Sequence, residues 1–114
     1  MSQLKAQTMS AQAFEAQVIA ERRPTLVCFL EDWSAPCKEI DHTVDALCEA
    51  LYDRIAVCRM GLEEASLIAV RYGISSIPAL VLFVEGEPVQ KLFGLRPFED
   101  IMKTLAKQLD GGPV

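Results

Sequence analysis

The sequence contains no cluster of basic residues: its 11 lysine and arginine residues are scattered among 16 acidic residues, and the net charge is −5. Nucleic acids and anionic membrane surfaces attract proteins with concentrated positive charge, so we expect neither as a partner. The runs that signal nucleotide binding are also missing from the sequence.

Long apolar stretches are absent as well. Residues 1–24 alternate glutamine, alanine and glutamate with isolated apolar residues, unlike the continuous apolar segment of a secretory signal. No run approaches the roughly 20 apolar residues that span a bilayer. We therefore expect a cytoplasmic protein whose four cysteines, Cys28, Cys37, Cys48 and Cys58, are thiols in a reducing compartment.

Histidine is almost absent too. The single histidine, His42, falls in a predicted helix, and no pair of cysteine or histidine spacings matches a zinc site. We therefore predict a solvated His42, no metal site and no cofactor.

The 114 residues are enough for one domain with a hydrophobic core, which we place at residues 1–110, followed by a flexible tail at 111–114. The apolar pattern predicts alternating strands and helices. The predicted strands are residues 4–9, 25–31, 55–60, 79–84 and 89–93. The predicted helices are one between Ser10 and Pro24, one from Ser34 to about residue 51, and two at residues 63–71 and 97–109.

Two of these elements have the clearest patterns. Residues 25–31 are apolar almost throughout, as in a strand covered on both faces, so we predict that this strand is central in the sheet. The helix that follows has one apolar and one acidic face. Its apolar residues, spaced by three and four, are Ile40, Val44, Leu47 and Leu51. Its acidic residues, which we expect in water, are Glu39, Asp41, Asp45 and Glu49.

A short motif, residues 32–38 with the sequence DWSAPCK, joins this strand to this helix. Cys37 lies three residues into the helix, where unpaired backbone N–H groups and the helix dipole favour a thiolate. Ser34 occupies the N-cap position, from which its hydroxyl can accept a hydrogen bond from the N–H of Cys37. As a nucleophile Ser34 would need an adjacent base, and neither histidine nor lysine is placed to supply one.

The pattern Trp33-x-x-Pro36-Cys37-Lys38 after a buried strand resembles the active site of the thioredoxin family, which reads Trp-Cys-Gly-Pro-Cys-Lys. Residues 72–83, YGISSIPALVLF, are similar to the family segment that carries a cis-proline, here Pro78. The resemblance runs from residue 26 to residue 109 without an obvious insertion. It implies a thioredoxin-like α/β fold, a three-layer sandwich whose central mixed sheet has helices on both faces.

The chain departs from the family at its redox residues. Ser34 stands where the family has its exposed nucleophilic cysteine, whereas Cys37 matches the shielded resolving cysteine. Cys28 stands where the family buries an aspartate that accepts a proton from the resolving cysteine. Arg59 replaces a buried lysine beside that aspartate, so it needs another partner or must reach solvent. The resemblance therefore does not imply a normal dithiol cycle at this motif.

Two cysteines have alternative interpretations. Cys37 is either a retained packing residue or a monothiol that forms mixed disulfides, which requires an accessible thiolate. Cys28 is either a small apolar core residue or the disulfide partner of Cys37, which requires a Cα separation of roughly 4.4–6.8 Å. Cys48 cannot pair with Cys37, because an intact helix places them about 16 Å apart.

The resemblance also implies a groove that binds extended polypeptide around the proline. The matching residues are Trp33, Ala35, Pro36, Leu62, Ser76, Ile77, Pro78, Phe93 and Gly94. Alternatively, Trp33 and Phe93 only cover the core, although contiguous exposed apolar area usually marks binding.

Three functions follow from these alternatives. The first, which we favour, is a thioredoxin-like protein that binds polypeptide clients or a partner at the groove, with Cys37 at most a monothiol. The second is a thiol-disulfide oxidoreductase in cell redox homeostasis that uses Cys37 with Cys28 or with glutathione, a thiol donor. The third is a structural subunit without a thiol role.

Overall fold

The computed structural model describes residues 5–110, so the predicted flexible tail lies outside the described residues. The strands are β1 (Gln7–Thr8), β2 (Thr25–Phe29), β3 (Ala56–Met60), β4 (Ala79–Val84) and β5 (Glu87–Phe93). The first helix, α1, is an α-helical turn at Ala11–Ala13 that continues as a π-helix at Phe14–Ala20. The other helices are α2 (Ala35–Leu51), α3 (Ser66–Arg71) and α4 (Phe98–Leu109).

The five strands form one mixed sheet in the order β1-β3-β2-β4-β5. β1, β3 and β2 are parallel, whereas β4 runs antiparallel to both β2 and β5. β2 is therefore the central strand, as its apolar sequence predicts.

Successive residues of β2 point to opposite faces of the sheet and enter two separate cores. Leu26 and Cys28 pack on the face covered by α2 and α4, whereas Val27 and Phe29 pack on the face covered by α1 and α3. All four are fully buried. This arrangement confirms the predicted three-layer sandwich and explains why the strand is apolar throughout.

The helix boundaries follow capping and local hydrogen bonding. The Ser10 hydroxyl accepts a hydrogen bond from the N–H of Ala13 at 3.0 Å, which confirms Ser10 as an N-cap. α3 begins at Ser66 instead of residue 63, because residues 62–65 form turns.

No helix within residues 5–110 is long and apolar enough to cross a membrane.

Four chain segments meet at the edge of the sheet where β2 and β3 end. In the ladder, Phe29 pairs with both Met60 and Ala79, and Ala79 pairs with Phe93. The ends of β2, β3 and β5 and the start of β4 therefore lie side by side. The residues that follow or precede them, at 30–34, 61–62, 76–78 and 94, meet at this edge.

Candidate functional site

The loop before α2 holds Ser34 in a structural role. Ser34 is 8% exposed, and its hydroxyl accepts a hydrogen bond from the N–H of Cys37 at 3.4 Å. Its own N–H donates to the carbonyl of Glu31 at 3.2 Å. The predicted N-cap is confirmed, and the neighbouring Trp33 side chain is left 75% exposed.

Cys37 lies in the first turn of α2 and is only 3% exposed. It lines a cavity of about 440 Å³ between the start of α2 and the ends of β1 and β3. The other lining residues are Thr8, Leu30, Glu31, Asp32, Lys38, Asp41, Arg59, Met60 and Gly61. Cys37 therefore borders the cavity although very little of its surface reaches solvent.

Arg59 finds its partners on α2, where the sequence alone suggested only water-facing acids. Its Nη2 lies 2.8 Å from Asp41 Oδ1 and 3.1 Å from Asp45 Oδ1, and its Nη1 donates to the carbonyl of Ala6 at 2.7 Å. Partial burial lowers the pKa of the guanidinium, but these two carboxylates outweigh it and raise that pKa overall. Asp45 is half-buried, which corrects the expectation that it faces water; it also accepts from the N–H of Ala6 at 3.1 Å.

Cys28 is fully buried in the core beneath α2 and α4, and it is not among the residues that line the cavity. Burial raises the pKa of its thiol well above the ordinary value of 9.0, and the charge of Arg59 opposes this only in part. Cys28 therefore stays protonated near neutral pH and cannot replace a carboxylate as proton acceptor. Cys28 and Cys37 are both free thiols in the structure, and their disulfide stays a prediction.

Cys48, Cys58 and His42 do not line this cavity. Cys58 is buried in the core layer opposite Cys28, and Cys48 is half-buried on α2. Burial raises the pKa of both thiols. His42 is exposed, as a solvated helix residue should be. Within the described part of the chain, no three His, Cys, Asp or Glu residues are arranged to hold a metal ion.

The nine groove residues predicted from the sequence all belong to segments at the common sheet edge or to the start of α2. Pro78 follows a cis peptide bond and is buried, and its carbonyl accepts from the N–H of Gly94 at 2.8 Å. Phe93 is 38% exposed. Among the rest, the exposed residues are Ala35, Pro36 and Ser76, and the half-buried residues are Leu62, Ile77 and Gly94.

Sequence reasoning missed Glu31. Its carboxylate accepts hydrogen bonds from the backbone N–H groups of Leu62 and Glu63, which joins the loop after β2 to the loop after β3. An acidic residue at the end of a predicted apolar strand was the available signal. Its partners could not be read from the sequence, because they lie 31 and 32 residues away.

Comparisons with known proteins agree with this architecture. The family model described as Thioredoxin matches residues 5–107. A thioredoxin from Griffithsia pacifica is 34% identical over 97 residues, which cover 85% of this chain and 89% of that protein. Thioredoxin 1 from Synechococcus elongatus is 32% identical over 96 residues, which cover 84% of this chain and 90% of that protein.

A solved structure gives the same answer. A mutant thioredoxin from Halobacterium salinarum NRC-1 superposes with a TM-score of 0.74 at 27% sequence identity, covering 93% of this chain and 90% of that chain. Together with the sheet order and the motif at the start of α2, these matches show that the chain belongs to the thioredoxin family.

Proposed function

We propose that this protein binds extended segments of polypeptide clients or of a partner protein at the groove surface, which we define as Trp33, Leu62, Ile77 and Phe93. Cys37 acts there at most as a monothiol. The observation that supports this most is the 75% exposure of Trp33 beside a sheet edge where three other apolar side chains are only partly covered. Exposed apolar area of this kind usually marks a binding site.

The state of the thiols supports binding over dithiol chemistry. Disulfide exchange needs an accessible thiolate, but Ser34 holds the position of the missing nucleophile and Cys37 is 3% exposed. The protonated Cys28 thiol offers no base to Cys37. Non-covalent contact with the groove surface needs none of these groups.

A binding experiment with matched variants tests the proposal. The probe is reduced, carboxymethylated α-lactalbumin, a permanently unfolded polypeptide, and its fluorescence anisotropy reports binding. We expect Trp33→Ala to weaken affinity about tenfold, equivalent to 1.4 kcal/mol. Tyr52→Ala is the control, because Tyr52 is 67% exposed at the opposite end of α2. Equal affinity of wild type and Trp33→Ala would contradict the proposal.

A second candidate, a thiol-disulfide oxidoreductase that uses Cys37 with Cys28 or with glutathione, is favoured by the family and by the cavity. The cavity of about 440 Å³ borders Cys37, and its charged lining combines Lys38 and Arg59 with the carboxylates of Glu31, Asp32 and Asp41. In this case the Cys37 thiolate would attack a glutathione disulfide, form a mixed disulfide and release one glutathione thiolate. Insulin reduction with a dithiol donor distinguishes the candidates. It is negligible for a binding protein but measurable, and lost in Cys37→Ala, for an oxidoreductase.

A further inference from the structure

Glu31 makes contacts in two directions at the end of β2. Its backbone carbonyl accepts from the N–H of Ser34 at 3.2 Å, which closes the turn that contains Trp33. Its side-chain Oε2 accepts from the N–H of Leu62 and, at 3.3 Å, from the N–H of Glu63. One residue is thus bonded to both loops that carry the groove residues Trp33 and Leu62.

The contact lies where the sheet ladder stops. The last backbone hydrogen bond between the chain segments of β2 and β3 is donated by the N–H of Leu30 to the carbonyl of Met60 at 3.0 Å. Beyond it, the chain after β3 turns away towards α3, and the Glu31 carboxylate satisfies the backbone donors that the ladder no longer reaches. A Cβ atom on Gly61 would lie 3.4 Å from Glu31 Oε2, which is van der Waals contact, so the carboxylate lies close against the backbone at Gly61.

We propose that Glu31 is a positioning residue of the groove surface, because it fixes the distance between Trp33 and Leu62. A hydrogen bond that a backbone N–H group donates to a charged acceptor is among the stronger hydrogen bonds in proteins. Losing it frees the Leu62 loop while the strands and both cores stay in place. The consequence for polypeptide binding rests on the function proposed above, whereas the positioning of the loop does not.

The test compares Glu31→Ala with Glu31→Gln, whose amide oxygen can still accept from both donors. Glu49→Ala serves as control, because Glu49 is exposed on α2. Backbone amide exchange is followed by NMR. In Glu31→Ala we expect the Leu62 and Glu63 amides to exchange at least about tenfold faster than in wild type, with the core amides unchanged. In Glu31→Gln, which keeps an acceptor but loses its charge, they should exchange at a rate between those of wild type and Glu31→Ala. In Glu49→Ala they should exchange as in wild type.

Affinity for the unfolded polypeptide is the second measurement. We expect Glu31→Ala to weaken it about fivefold or more, and Glu31→Gln to restore most of it. Unchanged exchange at Leu62 in Glu31→Ala would overturn the positioning role whether or not polypeptide binds. A wild-type protein that does not bind would instead contradict the proposed function alone. Binding by wild type and Glu31→Ala with equal affinity would overturn the link between Glu31 and the groove.

Discussion

The hydroxyl of Ser34 accepts a hydrogen bond from the backbone N–H of Cys37 at 3.4 Å. These are the two positions at which the thioredoxin motif carries its cysteine pair. Here one of them caps the helix and the other is 3% exposed. At these two positions the start of α2 therefore carries a capping serine and a nearly buried cysteine.

Replacing the cap should weaken the helix. We expect Ser34→Ala to lower the free energy of unfolding by about 1 kcal/mol, because the N–H of Cys37 loses its acceptor. Urea unfolding at neutral pH measures this change. Ser75→Ala is the control, because Ser75 is exposed and lies outside the helices, so its effect should stay within about 0.5 kcal/mol. Equal effects of the two substitutions would show that Ser34 is not a cap.

Restoring the second thiol should restore redox chemistry. In Ser34→Cys the introduced thiol lies three residues before Cys37 and can close a disulfide with it on oxidation. We expect insulin reduction to rise at least about tenfold over the wild-type rate, and addition of Cys37→Ala to abolish the gain. Ser34→Ala controls for loss of the cap. A wild-type rate as high as that of Ser34→Cys would favour the oxidoreductase.

The buried Cys28 thiol should make the protein sensitive to alkali. Its pKa is raised by folding above the ordinary value of 9.0, so the folded state keeps its proton after the unfolded state has lost it. The resulting stability is complete below pH 9 and falls as the pH rises further, by up to about 1.4 kcal/mol per pH unit.

The substitution Cys28→Ala removes this titration. Urea unfolding between pH 8 and pH 10.5, with a reductant present, should give a shallower loss of stability for this variant than for wild type. The smaller side chain of Cys28→Ala also changes the free energy of unfolding by a constant amount, but this does not alter how steeply that free energy falls with pH. Parallel slopes would mean that Cys28 does not stay protonated in the folded protein.

The strong hydrophobic patterns of the sequence were enough to predict the fold. The apolar run of β2 shows that both faces of this strand are buried, and the spacing of Ile40, Val44 and Leu47 by three and four residues shows which face of α2 is buried. The caps at Ser10 and Ser34 are local as well, because each bonds to a residue three positions later.

Contacts between distant segments could not be predicted in the same way. The bonds from Glu31 to the Leu62 loop and from Arg59 to Asp41 and Asp45 depend on how strands and helices pack in space. The same acidic residues on α2 would be solvated if the arginine were one position earlier or later on β3, since neighbouring side chains face opposite sides. The spacing of these residues in the sequence does not encode that registry.

Polypeptide binding at the groove surface is tested most directly by an NMR titration of isotope-labelled Cys37→Ala protein with carboxymethylated α-lactalbumin. This variant cannot form a mixed disulfide at position 37, so the titration reports non-covalent binding. We expect chemical-shift changes at the amides of Trp33, Leu62, Ile77 and Gly94, with α4 unaffected. No change at these amides, or changes confined to the cavity residues Lys38, Asp41 and Arg59, would contradict polypeptide binding at the groove surface.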